Sequence, residues 1–394
     1  MAGLKVLIAN ATLASFTGTE TYVRDLALGL LRKGHSPIVY APELGEIAEE
    51  LRRSTVPVVD NLNCVSTIPD IIHGNHNTEL MTALLRFETV PAVFFCHSWT
   101  DWISAPPSHP RIACYVAVDD TCRDRLVFEH GISEERVRVQ LHGADLERFR
   151  PRERLPERPS RAVVFSNNAN HWTHLNAVRK ACSRAGIDLD VIGSGVNAPT
   201  IEPESLLPNY DLVFAKARCA LEALAVGNAV ILCDAAGSGP MVTTSDLDRL
   251  RRLNFGIRAL SEKVDPELLG RQIARYNARD AAEVSRRVRS SSHIASVVDN
   301  AVALYTEVIE EFRAHAPGNS AVENRAMAEY LRWMTLAVRQ RQAKYESMLA
   351  NSLTLRLRTR IGQLPLMEKV LSSLGNHARS RNTHDNRQRN NHNT

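Results

Sequence analysis

No apolar run in this chain reaches the roughly 18 residues that a membrane-crossing helix needs, so a spanning segment is not expected. The opening residues, MAGLKVLIANA, carry a single Lys and a brief apolar run. They lack the small-residue cleavage pattern of a secretory signal, which predicts a chain that is not exported. No Cys-x-x-Cys and no His/Cys ladder occurs among Cys64, Cys96, Cys114, Cys122, Cys182, Cys219 and Cys233. An odd, scattered set lying mostly inside apolar runs predicts reduced, buried thiols of a cytoplasmic protein, and neither a disulfide framework nor a zinc site. No Asp-x-Asp stands at the end of a strand-like run, and no metal ligand is assigned.

What is present suffices for two core-bearing domains and a tail: 394 residues, of which 44% are hydrophobic and 23% charged. The charge is uneven. Residues 319–394 hold 13 Lys/Arg against 5 Asp/Glu, a net +8, while the remainder holds 35 against 39, a net −4. In the tail, residues 352–374 interleave Leu353, Leu355, Leu357 and Ile361 with Arg356, Arg358 and Arg360. That pattern suits an anionic membrane surface, a dimer helix or a solubilising tail; without an aromatic platform, no nucleic-acid partner is expected.

The stretch 207–242, LPNYDLVFAKARCALEALAVGNAVILCDAAGSGPMV, organises the rest. It predicts a strand at 211–214, a helix at 218–226 stopped by Gly227, a buried strand at 229–233 and a Gly-rich loop at 237–240. A β-α-β unit places ligands outside the carboxyl ends of its strands, where helix N-termini offer free N–H groups to anions.

The same alternation runs along the chain. Strands are expected at 4–9, 37–40, 56–59, 69–73, 90–96, 111–119 and 137–139, with helices between them. An Arg/Pro-rich crossing follows, HGADLERFRPRERLPERPSR. The pattern restarts with strands at 161–165 and 188–192 and ends in a long amphipathic helix at 293–314. The expected class is α/β, with two doubly wound domains facing across a cleft, residues 1–155 and 156–318. A basic helical tail, 319–394, follows, its Asn/Arg/His-rich end expected to be disordered.

Several of these segments together resemble a known family. TGTETYVRDLALGLLRKGHSPIVYAP, PDIIHGN, the strand ending in His97, and VAVDDTCRDRLVFEHGISEERVRVQLHGADLERFRP resemble the N-terminal domain of retaining GT-B glycosyltransferases of the family 4 group. ALEALAVGNAVILCD resembles that family's donor-site helix and the strand after it. The resemblance covers about residues 4–310 and implies sugar transfer from a nucleotide sugar, UDP- or GDP-linked, without cofactor or obligate metal. It implies that Glu222 holds the ribose, that Gly18 lies over the diphosphate and sugar, and that His97 faces the reacting sugar. Asn168, Ser238 and Gly239 are further donor-side candidates, and Glu20, Ser98 and Trp99 are acceptor-side candidates.

Two departures stand out. Phe214 occupies the register of a second family acid, and residues 166–171, Ser-Asn-Asn-Ala-Asn-His, lack the family's Arg and Lys. Lys216 and Arg218 are expected to neutralise the diphosphate instead, since cations at a helix N-terminus oppose its dipole unless an anion sits there; two solvated cations are the alternative. The acceptor is expected to be a glycan, a lipid-linked sugar or a small molecule, on a cytoplasmic protein that can sit on the inner face of the plasma membrane. Two other readings stay open: a binding or scaffold protein that keeps the fold without the chemistry, and a sugar-nucleotide epimerase or hydrolase.

Overall fold

Short Val/Ile/Leu-rich runs buried on both faces pair in parallel because helices cover each side. In the computed structural model, which describes residues 3–200, 202–314 and 320–362 with side chains to residue 350, seven such runs form one sheet. Its spatial order is Val58–Val59, Ser36–Tyr40, Lys5–Ala9, Ile71–Gly74, Ala92–Cys96, Ile112–Ala117 and Val137–Val139, all parallel. A second sheet runs Asp188–Ile192, Arg161–Phe165, Leu212–Ala215, Ala229–Asp234 and Gly237–Met241. Only its last strand is antiparallel.

The connectivity locates the ligand region before any side chain is considered. In the first sheet the chain reverses direction of travel between Lys5–Ala9 and Ile71–Gly74, and in the second between Arg161–Phe165 and Leu212–Ala215. Loops after such neighbouring strands diverge and leave a crevice at their carboxyl ends. Asn10 and Asn75 follow the first pair, Ser166 and Lys216 the second.

Each sheet rests on its own apolar layers. Val213 and Ala215 pack with Leu221, Leu224 and Val226 on one face of the second sheet, while Phe214 packs with Leu175, Val178 and Cys182 on the other. Full burial of such side chains stabilises by about 1.5–3 kcal/mol each. The helix Ala217–Val226 stops because Gly227 turns left-handed at φ 104°. Asn228 Nδ2 then donates to Leu207 O at 2.9 Å and Tyr210 O at 2.6 Å, which closes the turn.

Two expectations change. Residues 237–240 were expected as a loop, yet Gly237–Met241 is a strand, because Gly239 lets the chain run against Ala259, whose oxygen would lie 2.3 Å from an added Cβ. The helix Ile294–Ala314, expected within the second domain, packs instead on the first sheet with Leu26, Leu30, Val93, Phe95 and Val116. At Gly29 it comes so close that a Cβ would meet Val298 Cγ2 at 2.5 Å. The chain therefore passes between the sheets twice, and the two passages are hydrogen-bonded: Ala144 N to Ser292 O at 2.8 Å and Ile294 N to Ala144 O at 2.9 Å.

Both sheets lie in one compact unit, Met1–Met327. The second unit, Ala328–Thr394, is helical over its described part, which belongs to the helix Ser320–Gly362. The basic segment 352–374 lies outside the residues whose side chains are described, and 363–394 lie outside the described residues altogether. Among the described residues no helix is long and apolar enough to cross a membrane. The cysteines are free: Cys96, Cys114, Cys122, Cys182 and Cys233 are buried, Cys219 is half-buried and Cys64 is exposed.

Candidate functional site

Two cavities open between the sheets at the carboxyl ends of their strands. The first, about 380 Å³, is lined by Gly18, His97, Ser98, Trp99, His142, Lys216 and Arg218, among others. The second, about 290 Å³, is lined by Gly18, Arg24, Phe165, Ser194, Thr200, Arg218 and Glu222, among others. They meet at Thr17, Gly18 and Arg218, which belong to both. At Gly18 a Cβ would meet nothing within 4 Å, so the backbone there faces open space.

Arg218 is the centre of an ionic knot. Its Nε lies 2.8 Å from Glu222 Oε1, one helical turn on, and its Nη2 reaches Asp25 on the helix Gly18–Arg32 of the other half. Asp25 is also held by Arg24 Nη2 at 2.7 Å. Although burial acts to raise it, Arg218 and Arg24 hold the Asp25 carboxyl below its ordinary range. Burial raises Glu222 instead, with Arg218 partly offsetting the shift. Arg218 is 8% exposed, and its Nη1 alone has no partner.

Lys216 makes a parallel arrangement one step earlier. Its Nζ lies 3.1 Å from Asp234 at the end of the adjoining strand, and Asp234 also accepts from Asn168 Nδ2 at 3.1 Å. Between Lys216 and Arg218, Ala217 adopts φ +51°, and Asn254 and Phe255 follow suit at +49° and +53°. Left-handed backbone at non-glycine residues costs on the order of 1–3 kcal/mol each and gathers at working sites. Ala217 N donates to Phe255 O at 2.8 Å, which ties the two strained turns together.

The first cavity's other wall is imidazole. His97 stands at the end of the strand Ala92–Cys96 and stacks on His142 at 5.5 Å between centroids, 17° apart in plane. Burial, then the neighbouring His142, His76 and His73, push His97 well below its usual value, and burial brings His142 down to about 3. These rings are neutral at physiological pH. Trp99 is 37% exposed, with the Arg258 guanidinium 5.8 Å over its ring.

Of the candidates read from the sequence, the cavities gather Gly18, His97, Ser98, Trp99, Lys216, Arg218 and Glu222. Four are placed elsewhere. Glu20 folds back to accept from the Thr17 hydroxyl at the start of its own helix, and burial pushes its carboxyl up to about 7. Ser238 is buried in the antiparallel strand and donates to Lys263 O at 3.0 Å, beside Gly239. Asn168 holds Asp234 and does not line either cavity. Lys216 and Arg218 line the first cavity already paired with the protein's own acids, Lys216 with Asp234 and Arg218 with Asp25 and Glu222. Asp25, Asn75, His73 and His142 were not singled out, because their roles arise from partners far away in the chain.

The geometry can be compared with known proteins. Residues 65–148 match the sequence model of Glycosyltransferase Family 4. HepE from Anabaena, solved with UDP and glucose, is similar in structure at 13% identity, TM-score 0.60, covering 77% of this chain and 99% of that one. The fold is GT-B. HepE solved with UDP-glucose gives the same GT-B likeness at 12% identity, TM-score 0.59, over 77% of this chain and 100% of that one. A glycosyltransferase from Rickettsia africae is similar at 12% identity, TM-score 0.57, over 78% of this chain and 99% of that one. No curated protein matches the sequence. In this GT-B chain the two cavities occupy the cleft between the two sheets' carboxyl ends.

Proposed function

We propose that the chain is a retaining glycosyltransferase that takes a UDP- or GDP-linked sugar, places its nucleoside in the second cavity and its sugar in the first, and transfers to a glycan, lipid-linked or small-molecule acceptor. The observation that carries this is the position of Arg218 where the two cavities meet, with Glu222 beside it in the second. A diphosphate joining a nucleoside to a sugar has its charge at that junction. Glu222, on the nucleoside side, accepts from adjacent ribose hydroxyls. The unpartnered Nη1 of Arg218, Lys216 and the N–H groups that open the helix Ala217–Val226 meet the charge that grows on the leaving diphosphate. These groups take the part that a resident metal would otherwise play. His97, Ser98 and Trp99 lie against the sugar and the incoming acceptor. The net +8 of residues 319–394 supports an acceptor at an anionic membrane face on the cytoplasmic side.

Thermal unfolding with a panel of UDP- and GDP-sugars tests this. One of them should stabilise the protein by about 2.7 kcal/mol at a hundredfold excess over Kd, and Glu222→Ala should abolish the effect. No stabilisation by any of them would sink the proposal. One observation favours a binding protein without chemistry: Phe214, in the register of the family's second acid, is wholly buried in the core. Release of free nucleotide on adding an acceptor extract separates the readings, since a binding protein holds the nucleotide sugar intact. Release without any acceptor would instead indicate a hydrolase.

A further inference from the structure

Lys216 faces two claims. It lines the first cavity with its side chain 27% exposed, yet its Nζ lies 3.1 Å from Asp234, a carboxylate only 5% exposed. A lysine drawn off to a ligand would leave Asp234 to neutral donors: Asn168 Nδ2 at 3.1 Å, Ser166 Oγ at 3.5 Å and the N–H of Ala235. A buried charge that loses its counter-ion is costly. A second basic group stands close by, unused. His174, just before the helix Leu175–Arg184, is 1% exposed, and neither of its ring nitrogens has a partner among the described residues. Buried polar groups are so regularly paired that an imidazole with both nitrogens idle calls for a reason. The loop before it leads to Asp234: Thr173 Oγ1 donates to Asn168 O at 2.9 Å, and Asn168 holds the carboxylate. Burial lowers His174 below its ordinary value, Asp234 opposes the shift, and Lys216 adds to it. With Lys216 drawn away, the repelling charge goes and the attracting one stays.

We propose that His174 is a positioning residue, a reserve cation for Asp234: as a nucleotide sugar's diphosphate draws Lys216 into the first cavity, His174 takes a proton from solvent and replaces Lys216 beside the carboxylate. The assignment rests on the transfer reading above. Lys216 keeps its own proton and carries its charge to the diphosphate, while the imidazolium restores the charge that Asp234 has lost. The exchange frees Lys216 for the ligand without stranding a buried acid. It also makes binding take up a proton, so by linkage affinity weakens as the pH rises.

Nitrogen-15 spectra of histidine-labelled protein, with His174 assigned by the loss of its signals in His174→Gln, test the exchange without a ligand. His174 should stay neutral through the neutral pH range in the natural protein and titrate within that range in Lys216→Gln, which removes the cation and keeps a polar stem. An unmoved His174 in Lys216→Gln overturns the proposal. Calorimetry with UDP-glucose or GDP-mannose, whichever stabilises the protein, in two buffers of different ionisation enthalpy then follows the proton. The diphosphate of a nucleotide sugar has no ionisation of its own near neutrality. Binding should take up a fraction of a proton and weaken as the pH rises; in His174→Gln the uptake should vanish and the pH dependence flatten. Uptake that is absent, or equal in the two proteins, overturns the proposal. So does a loss of affinity in His174→Gln that is the same at every pH, which is what a merely structural histidine gives. A protein that no nucleotide sugar stabilises fails the transfer reading, and the titration of His174 in Lys216→Gln still decides the exchange.

Discussion

The two walls of the cleft solve the same problem with different chemistry. The first sheet contributes imidazoles and a carboxamide, neutral groups hydrogen-bonded to one another through His97, Asn75 and His73. The second contributes full charges, Lys216 with Asp234 and Arg218 with Glu222. Neutral polar groups can be buried at modest cost once hydrogen-bonded, whereas buried charges need a partner of opposite sign at close range. A buried link between the two halves is Asp25, a first-half carboxylate committed to a second-half guanidinium.

The largest expected effect comes from cutting that link. Arg218→Ala leaves Asp25 and Glu222 buried without their shared cation, and should cost about 3–5 kcal/mol in denaturant unfolding. A loss near zero would mean that the ionic wall is open to water and no different in kind from a surface pair.

Acid separates the walls next. Burial brings His73 and His142 down to about 3 and His76 down to about 4, from an ordinary 6.5. Unfolded imidazoles take up protons below that value while the folded ones refuse them. The stability they contribute is therefore present above pH 6.5 and is lost as the pH falls toward 3–4. Glu20 runs the other way: with its carboxyl at about 7 rather than 4.5, folding is favoured by its proton and loses stability as the pH rises through that window. Three imidazoles outweigh one carboxyl, so stability should decline on acidification from pH 7 to pH 5. Glu20→Gln should steepen that decline and raise stability above pH 7 by on the order of 2 kcal/mol. A curve that is flat in both proteins would remove the contrast between the walls.

The smallest effect is expected at Asp120, whose carboxylate meets Arg252 Nε at 2.7 Å and Nη2 at 2.8 Å on the cleft's outer rim. Arg252 is 68% exposed, and such pairs are screened by salt. Asp120→Asn should leave unfolding unchanged within error at moderate ionic strength. A clear loss there would show that the rim, and not the Arg218 knot, holds the halves together.

Local chemistry made much of this legible in the sequence. The strands Val137–Val139, Arg161–Phe165 and Asp188–Ile192 fall where apolar runs bounded by polar turns placed them, and Gly227 ends its helix as expected. Arg218 and Glu222 share a helix face because they are four residues apart. The strand Gly237–Met241 was hidden, since glycine and proline read as a turn and only its pairing with Ala229–Asp234 makes it a strand. Asn75, His73 and Tyr305 were hidden for a similar reason. Tyr305 is 232 residues from His73, and nothing near either one in the chain signals the pairing.

The return of the helix Ile294–Ala314 to the first sheet makes the second half an insertion within the first. While the chain is being synthesised, the first sheet emerges long before the helix that covers one of its faces, and Leu26, Leu30 and Phe95 wait exposed until residues 294–314 follow. The second sheet, whose elements are contiguous from Arg161 to Ser291, can complete its core first, and the first sheet, begun earlier, closes last.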